Sequence, residues 1–124
     1  IEVKDYLNVP SDMFVVTEDT YIYKKDLLRR FLSAYKDCTQ WMIDNPKEAA
    51  KVAKKRSING RNEVVNFDII KIRNASAVSK TTIKKGLGHF DLELLQKGAD
   101  TFKELGLIKK SIDMSKVVKS DLIP

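Results

Sequence analysis

The stretch Tyr23–Arg56 constrains this chain more than any other, because it encodes two helices separated by one sharp break. Between Leu28 and Met42 the apolar residues fall at Leu28, Phe31, Leu32, Tyr35, Cys38 and Met42, a spacing of three and four that draws one stripe along an α-helix. Leu27, Ala34 and Trp41 widen that stripe to a second side, which predicts a central helix covered on more than one face. Asn45-Pro46-Lys47-Glu48 then supplies a restart. Asn45 is suited to cap free amides, Pro46 to the first helical position where no donor is needed, and Glu48 to bond back to the cap. The helix that follows carries Ala49, Ala50, Val52 and Ala53, small enough for close approach. It ends in Lys54-Lys55-Arg56, cations where the helix dipole favours them.

Upstream, Val9-Pro10-Ser11-Asp12 is a turn-like group that closes an extended entry segment. Met13-Phe14-Val15-Val16-Thr17 is short, apolar and β-branched, the pattern of a strand buried on both faces. Such a strand needs neighbours, and the rest of the sequence offers none comparable. Thr17-Glu18-Asp19-Thr20 reads as a polar break, and Tyr21-Ile22-Tyr23 as a helical turn or a short extended piece.

Downstream, Ser57-Ile58-Asn59-Gly60 is a loop, and Asn62–Asn74 places Val64 or Val65, Asp68 or Ile69, and Ile72 at helical spacing. Ala75–Lys85, small and hydroxyl-rich and then basic, predicts a surface connection, followed by a two-glycine turn at Gly86-Leu87-Gly88-His89-Phe90. Asp91 caps a helix whose inward face is Leu94 or Leu95, Ala99, Phe102 and Leu105. Gly106 stops it, with Leu107 packing back on the last turn. Asp113 caps one more short turn around Met114–Val118.

A chain of 124 residues suits one domain with a core that needs neither disulfide nor metal. It opens at Ile1 with no charged-then-apolar leader, so it is expected to be a piece of a longer protein. The apolar runs are far shorter than the ~20 residues of a membrane-spanning helix. The net charge of +6 comes from short clusters with acids between them and no interleaved aromatics. That is a solvated surface and not a nucleic-acid platform.

The sequence gives little room for catalysis. His89 is the only histidine and Cys38 the only cysteine, which excludes a histidine-pair metal site, a four-cysteine site and an internal disulfide. Cys38, on the apolar stripe, reads as a small buried hydrophobe and not a reactive thiol, and His89 as a turn histidine beside Phe90. Gly86-x-Gly88 lacks the third glycine of a dinucleotide fingerprint, and Lys84-Lys85-Gly86 lacks the phosphate-loop spacing. Asp12, Glu18, Asp19 and Asp26 read as caps and turn formers. No metal and no cofactor is expected, and no enzyme confined to these residues.

Three stretches taken together resemble a known family. Met13–Thr17, followed by Leu27-Leu28-Arg29-Arg30-Phe31-Leu32-Ser33-Ala34-Tyr35 and then Trp41-Met42-Ile43-Asp44-Asn45-Pro46-Lys47-Glu48-Ala49-Ala50, resembles the C-terminal half of ABC-transporter solute-binding proteins of the nitrate/sulfonate/taurine type. Thiamine-pyrimidine synthases share that domain. The end of the chain, Phe102-Lys103-Glu104-Leu105-Gly106-Leu107-Ile108 with Val117-Val118 and Leu122-Ile123-Pro124, looks like the family's closing pattern. The likeness runs from about Asp5 to Pro124 and rests on the order and spacing of these stretches together.

The resemblance implies an α/β fold overall, a type II periplasmic-binding-protein lobe of which this piece is mostly α-helical with one or two strands. Residues 1–124 would be a single segment, the C-terminal part of a two-lobed protein. Residues 1–8 would be the hinge approach, and residues 9–124 a strand plus helices of the first lobe. A small organic or anionic solute would be trapped by hinge closure between the lobes. Val3–Asn8 would approach the hinge, with Asp5 and Tyr6 the ligand-binding residues nearest the cleft, and ordinary turn and surface residues as the alternative. Ser79–Lys85 is basic where relatives vary, and the usual cleft-lining loops fall outside this sequence. The implied partners are a small-molecule ligand (sulfonates, nitrate, and pyrimidine or flavin precursors) and an ABC permease in the membrane, with no nucleic acid. The implied location is periplasmic or extracellular and membrane-anchored, with a signal peptide in the precursor. A synthase-like enzyme fragment and a free-standing helical interaction module are the rival readings.

Overall fold

The computed structural model describes Val9 and residues 12–58 and 62–123, and these form seven α-helices. Helix α1, Glu18–Tyr23, starts where a polar break was expected. Thr17 caps it by accepting from the Thr20 amide at 3.3 Å, and Glu18 and Asp19 place negative charge in its first turn. Helix α2, Lys25–Asp44, and helix α3, Pro46–Arg56, are the two helices expected from Tyr23–Arg56, with Pro46 in the first turn of α3.

The junction between them works differently from the expected cap. Asn45 makes no side-chain bond to α3; its Nδ2 instead donates to the Trp41 carbonyl at 3.1 Å, which closes α2. Its backbone, at φ −128° and ψ 56°, lies outside the extended region from which a side chain reaches the next amides. Glu48 pairs with Lys51 at 2.7 Å and not with the cap.

Helix α4, Glu63–Ala77, is capped by Asn62, whose Oδ1 accepts from the Val65 amide at 2.8 Å. It runs past Asn74 into the expected connection. Helix α5, Lys80–Lys85, lies wholly inside that connection. Ser79 and Thr82 form a reciprocal capping box: Ser79 Oγ accepts from the Thr82 amide at 3.1 Å, and Thr82 Oγ1 from the Ser79 amide at 2.7 Å. Helix α6, Leu92–Glu104, starts at the expected cap, Asp91, and helix α7, Met114–Val117, at Asp113.

The end of α6 at Gly106 is as expected. Gly106, at φ +72°, donates to the Lys103 carbonyl and Leu107 to the Phe102 carbonyl, each at 2.9 Å, the paired bonds of a glycine-terminated helix. The apolar half of that arrangement is missing, because Phe102, Leu105 and Leu107 are all exposed, which also corrects the expected inward face: of it Leu95 is buried, together with Gly98, and Phe102 and Leu105 are not.

The largest buried cluster joins α3 to α4. Ala49, Ala50 and Ile70 are buried, with Met42 and Phe67 packed against them, and Ala50 is fully enclosed. Small side chains on α3 permit the close approach that their spacing predicts. Asn74 Nδ2 donates to the Met42 carbonyl at 3.1 Å and ties α4 to the end of α2. In a second cluster Leu95 and Gly98 of α6 are buried. A Cβ at Gly98 would lie 3.1 Å from Val9 Cγ1, so glycine allows Val9 to pack closely on this helix. Gln96 docks α7, donating to the Ile112 carbonyl at 3.1 Å and accepting from the Met114 amide at 3.0 Å.

Three further expectations are corrected. Met13–Thr17 is not a strand, and the described residues contain none. A strand exists only through backbone bonds to a neighbouring strand, and the described residues offer this segment none. Helix α2 is not enclosed: none of its residues is buried. Cys38 is accordingly exposed.

Candidate functional site

The side of α2 expected to be covered is an open apolar face. Leu27, Phe31 and Tyr35 are all exposed along it, at spacings of four that keep them on one side of the helix, and Trp41, toward the second side, is exposed as well. The extended segment Met13–Val16 lies across this face through Phe14. The Phe14 ring meets Phe31 edge-on at 5.1 Å between centroids and Tyr35 edge-on at 4.8 Å, while Phe31 and Tyr35 stack at 6.3 Å. Edge-to-face contact puts the positive rim of one ring on the negative face of another. Even so, Phe14 remains 54% exposed and Val15 87%. A contiguous patch of large apolar side chains in water is the surface feature that most often marks a contact region.

A polar clasp sits beside this face. Tyr21 Oη donates to the Asp121 carboxylate, 3.0 Å from each oxygen, and Lys25 Nζ donates to Oδ2 at 3.0 Å. The Lys25 ammonium also stands 4.4 Å from the centre of the Tyr21 ring, with Lys119 at 5.6 Å. The Lys25 hydrogen bond holds the Asp121 carboxyl below the usual carboxylate range, and Tyr21 adds to it. In return the Asp121 bond, followed by that of Tyr21, raises the Lys25 ammonium. The clasp anchors the C-terminal tail, whose next residue, Leu122, is buried. It was not foreseen in the sequence, where no local pattern links residues this far apart.

Asp5 and Tyr6, the two expected cleft residues, lie outside the described residues, as do Gly60 and the whole hinge approach. Among the expected caps, Glu18 and Asp19 open α1, and Asp26 opens α2 and pairs with Arg30 at 3.1 Å. His89 is half-buried beside the two-glycine turn, its Nδ1 3.3 Å from the Gly86 carbonyl. Among the described residues no group of acidic, histidine and cysteine side chains is placed to hold a metal, and no helix is long and apolar enough to cross a membrane.

The family model described as "NMT1/THI5 like" matches residues 1–49. That span takes in Asp5, Tyr6, the Met13–Val16 segment, α1, α2 and the first turn of α3, and so contains every residue of the open aromatic face. The match covers less than half of the chain and likens its N-terminal part to that family. No curated protein and no solved structure matches the sequence.

Proposed function

We propose that this chain is the C-terminal part of the solute-binding component of an ABC importer of the nitrate/sulfonate/taurine type. It would capture a small organic or anionic solute outside the cytoplasm, hand it to a membrane permease and catalyse nothing. The family match over residues 1–49 carries this reading, because proteins of that domain type hold small solutes. The open face fits it as well. In a two-lobed protein Phe14, Phe31, Tyr35 and Trp41 rest against the remainder of the first lobe, and Met13–Thr17 gains the strand neighbours it lacks. Residues 1–8 then lead to the hinge, with Asp5 and Tyr6 at the cleft.

The test is thermal denaturation of the intact protein against sulfonates, nitrate, and pyrimidine and flavin precursors. Ligand at 100 times its Kd stabilises the native state by about 2.7 kcal/mol, a readily measured rise in Tm. Asp5→Ala and Tyr6→Ala are expected to reduce that rise. If no compound on the panel shifts the Tm, solute binding is abandoned.

A second reading, a free-standing helical interaction module, draws on the α3–α4 core, which closes without any strand. It requires residues 1–124 to unfold in one cooperative transition by themselves.

A further inference from the structure

We propose that the pocket between the α5–α6 turn and the C-terminal tail binds a small organic anion with an apolar body. This inference stands on the pocket's own lining and does not rest on the preceding reading. The pocket encloses about 440 Å³, within the size range of small-molecule sites. One wall is the turn and its flanks, Lys85, His89, Phe90 and Leu92; the opposite wall is the tail, chiefly Ser120 and Ile123.

The chemistry of the two walls is divided. Phe90, Leu92 and Ile123 are apolar, whereas Lys85, His89 and Ser120 are polar and carry no carboxylate among them. Lys85 makes no ion pair among the described residues, although five other cations do. A carbonyl can only accept, so the bond to Gly86 is donated by His89 Nδ1, and Nε2 of the neutral ring is then an acceptor, so the anion-binding donors of this pocket are Lys85 and Ser120. An unpaired ammonium and a hydroxyl lining one pocket favour a carboxylate, sulfonate or phosphate head. The apolar wall excludes a bare inorganic ion as the best occupant and favours one with a hydrocarbon body.

Both walls are positioned by structure elsewhere. Gly86 and Gly88 take φ of +98° and +90°, which bends the chain tightly enough to bring His89 back over the end of α5. A Cβ at Gly88 would lie 3.8 Å from Ile123 Cγ2, so the tail runs directly along this turn. The tail is fixed between its two pocket residues, Ser120 and Ile123, by the clasp on Asp121 and the burial of Leu122.

The experiment is an amide and histidine-side-chain NMR titration of the protein with three probes: hexanoate, hexanol and acetate. Hexanoate should shift His89, Leu92 and Ser120 saturably. Hexanol, lacking the charge, and acetate, lacking the body, should each bind at least about tenfold more weakly. Lys85→Gln should weaken hexanoate about tenfold, the usual worth of a charge-assisted hydrogen bond, while Lys85→Arg should keep most of the affinity. The proposal is overturned if hexanoate leaves those resonances unmoved, if it shifts Phe31 and Trp41 instead, or if Lys85→Gln binds it as tightly as the unaltered protein.

Discussion

Asn45 and Asn62 each stand immediately before a helix, yet they act in opposite directions. Asn62, at φ −69° and ψ 162°, turns its side chain forward to the Val65 amide. Asn45 turns back to the Trp41 carbonyl, because its backbone is not extended and Pro46 fills the first turn of α3. Asn62→Ala should therefore cost about 1 kcal/mol, the usual value of a lost N-cap. Asn45→Ala, losing one exposed hydrogen bond, should cost less. Urea midpoints at an unchanged slope would read both, and equal losses would mean that Asn45 caps α3 in solution. Ala50 presents the opposite situation. It is fully enclosed between α3 and α4, so Ala50→Leu should destabilise by about 1–3 kcal/mol through overpacking, although the change adds only hydrocarbon. A stabilised Ala50→Leu would show that the two helices are not in close contact.

At the scale of elements, α4 shows how packing selects one face from a β-branched sequence. Ile70 is buried against Ala49 and Ala50, whereas Ile72, two residues on, is 70% exposed. Ile70→Ala is expected to cost about 2–5 kcal/mol and Ile72→Ala within about 0.5 kcal/mol, both from thermal unfolding. Similar losses at the two positions would move the core to another face of the helix. The sequence assigns Ile72 to that helix's pattern but does not single out Ile70, because Val64, Val65, Ile69 and Ile70 leave the register open. Helices α2, α3 and α6 were legible because their apolar spacing and their boundary residues agree. Helices α1 and α5 were not, since both are short and begin with polar groups that resemble loops. Thr17 and the Ser79–Thr82 pair turn out to be caps. In α5 the returning side chain is a threonine hydroxyl and not the Glu or Gln that usually signals a capping box. The strand expected at Met13–Thr17 failed for a different reason: β-branched composition reports fitness for a sheet, and only a neighbouring strand makes one. The candidate face was half legible. The two-sided apolar pattern of α2 is real, but which side would be covered depends on chain segments beyond that pattern.

For the molecule as a whole, the tail matters because it links the two ends of the described chain, and that link is electrostatic. Asp121 has its carboxyl lowered by Lys25 and Tyr21, so its contribution is present above the unfolded carboxylate value of about 3.9 and is lost as the pH falls through the lower folded value. Lys25 is raised, so its contribution is complete below the unfolded lysine value of about 10.4 and is lost as the pH rises through the higher folded value. Between those limits the clasp holds, and acid should open it from one side only. Both groups face solvent, so salt should weaken the clasp as well. Methyl NMR separates this local event from global unfolding. On acidification below about pH 4, the Leu122 methyl resonances should move toward unfolded positions while those of Ile70 in the α3–α4 core stay native. Asp121→Asn, which keeps the shape of the side chain but removes its charge, should weaken the tail at neutral pH and abolish the further acid response. If Leu122 and Ile70 move together in the unaltered protein, the tail belongs to the cooperative core, and the clasp is a surface contact with no separate role in holding the chain's ends together.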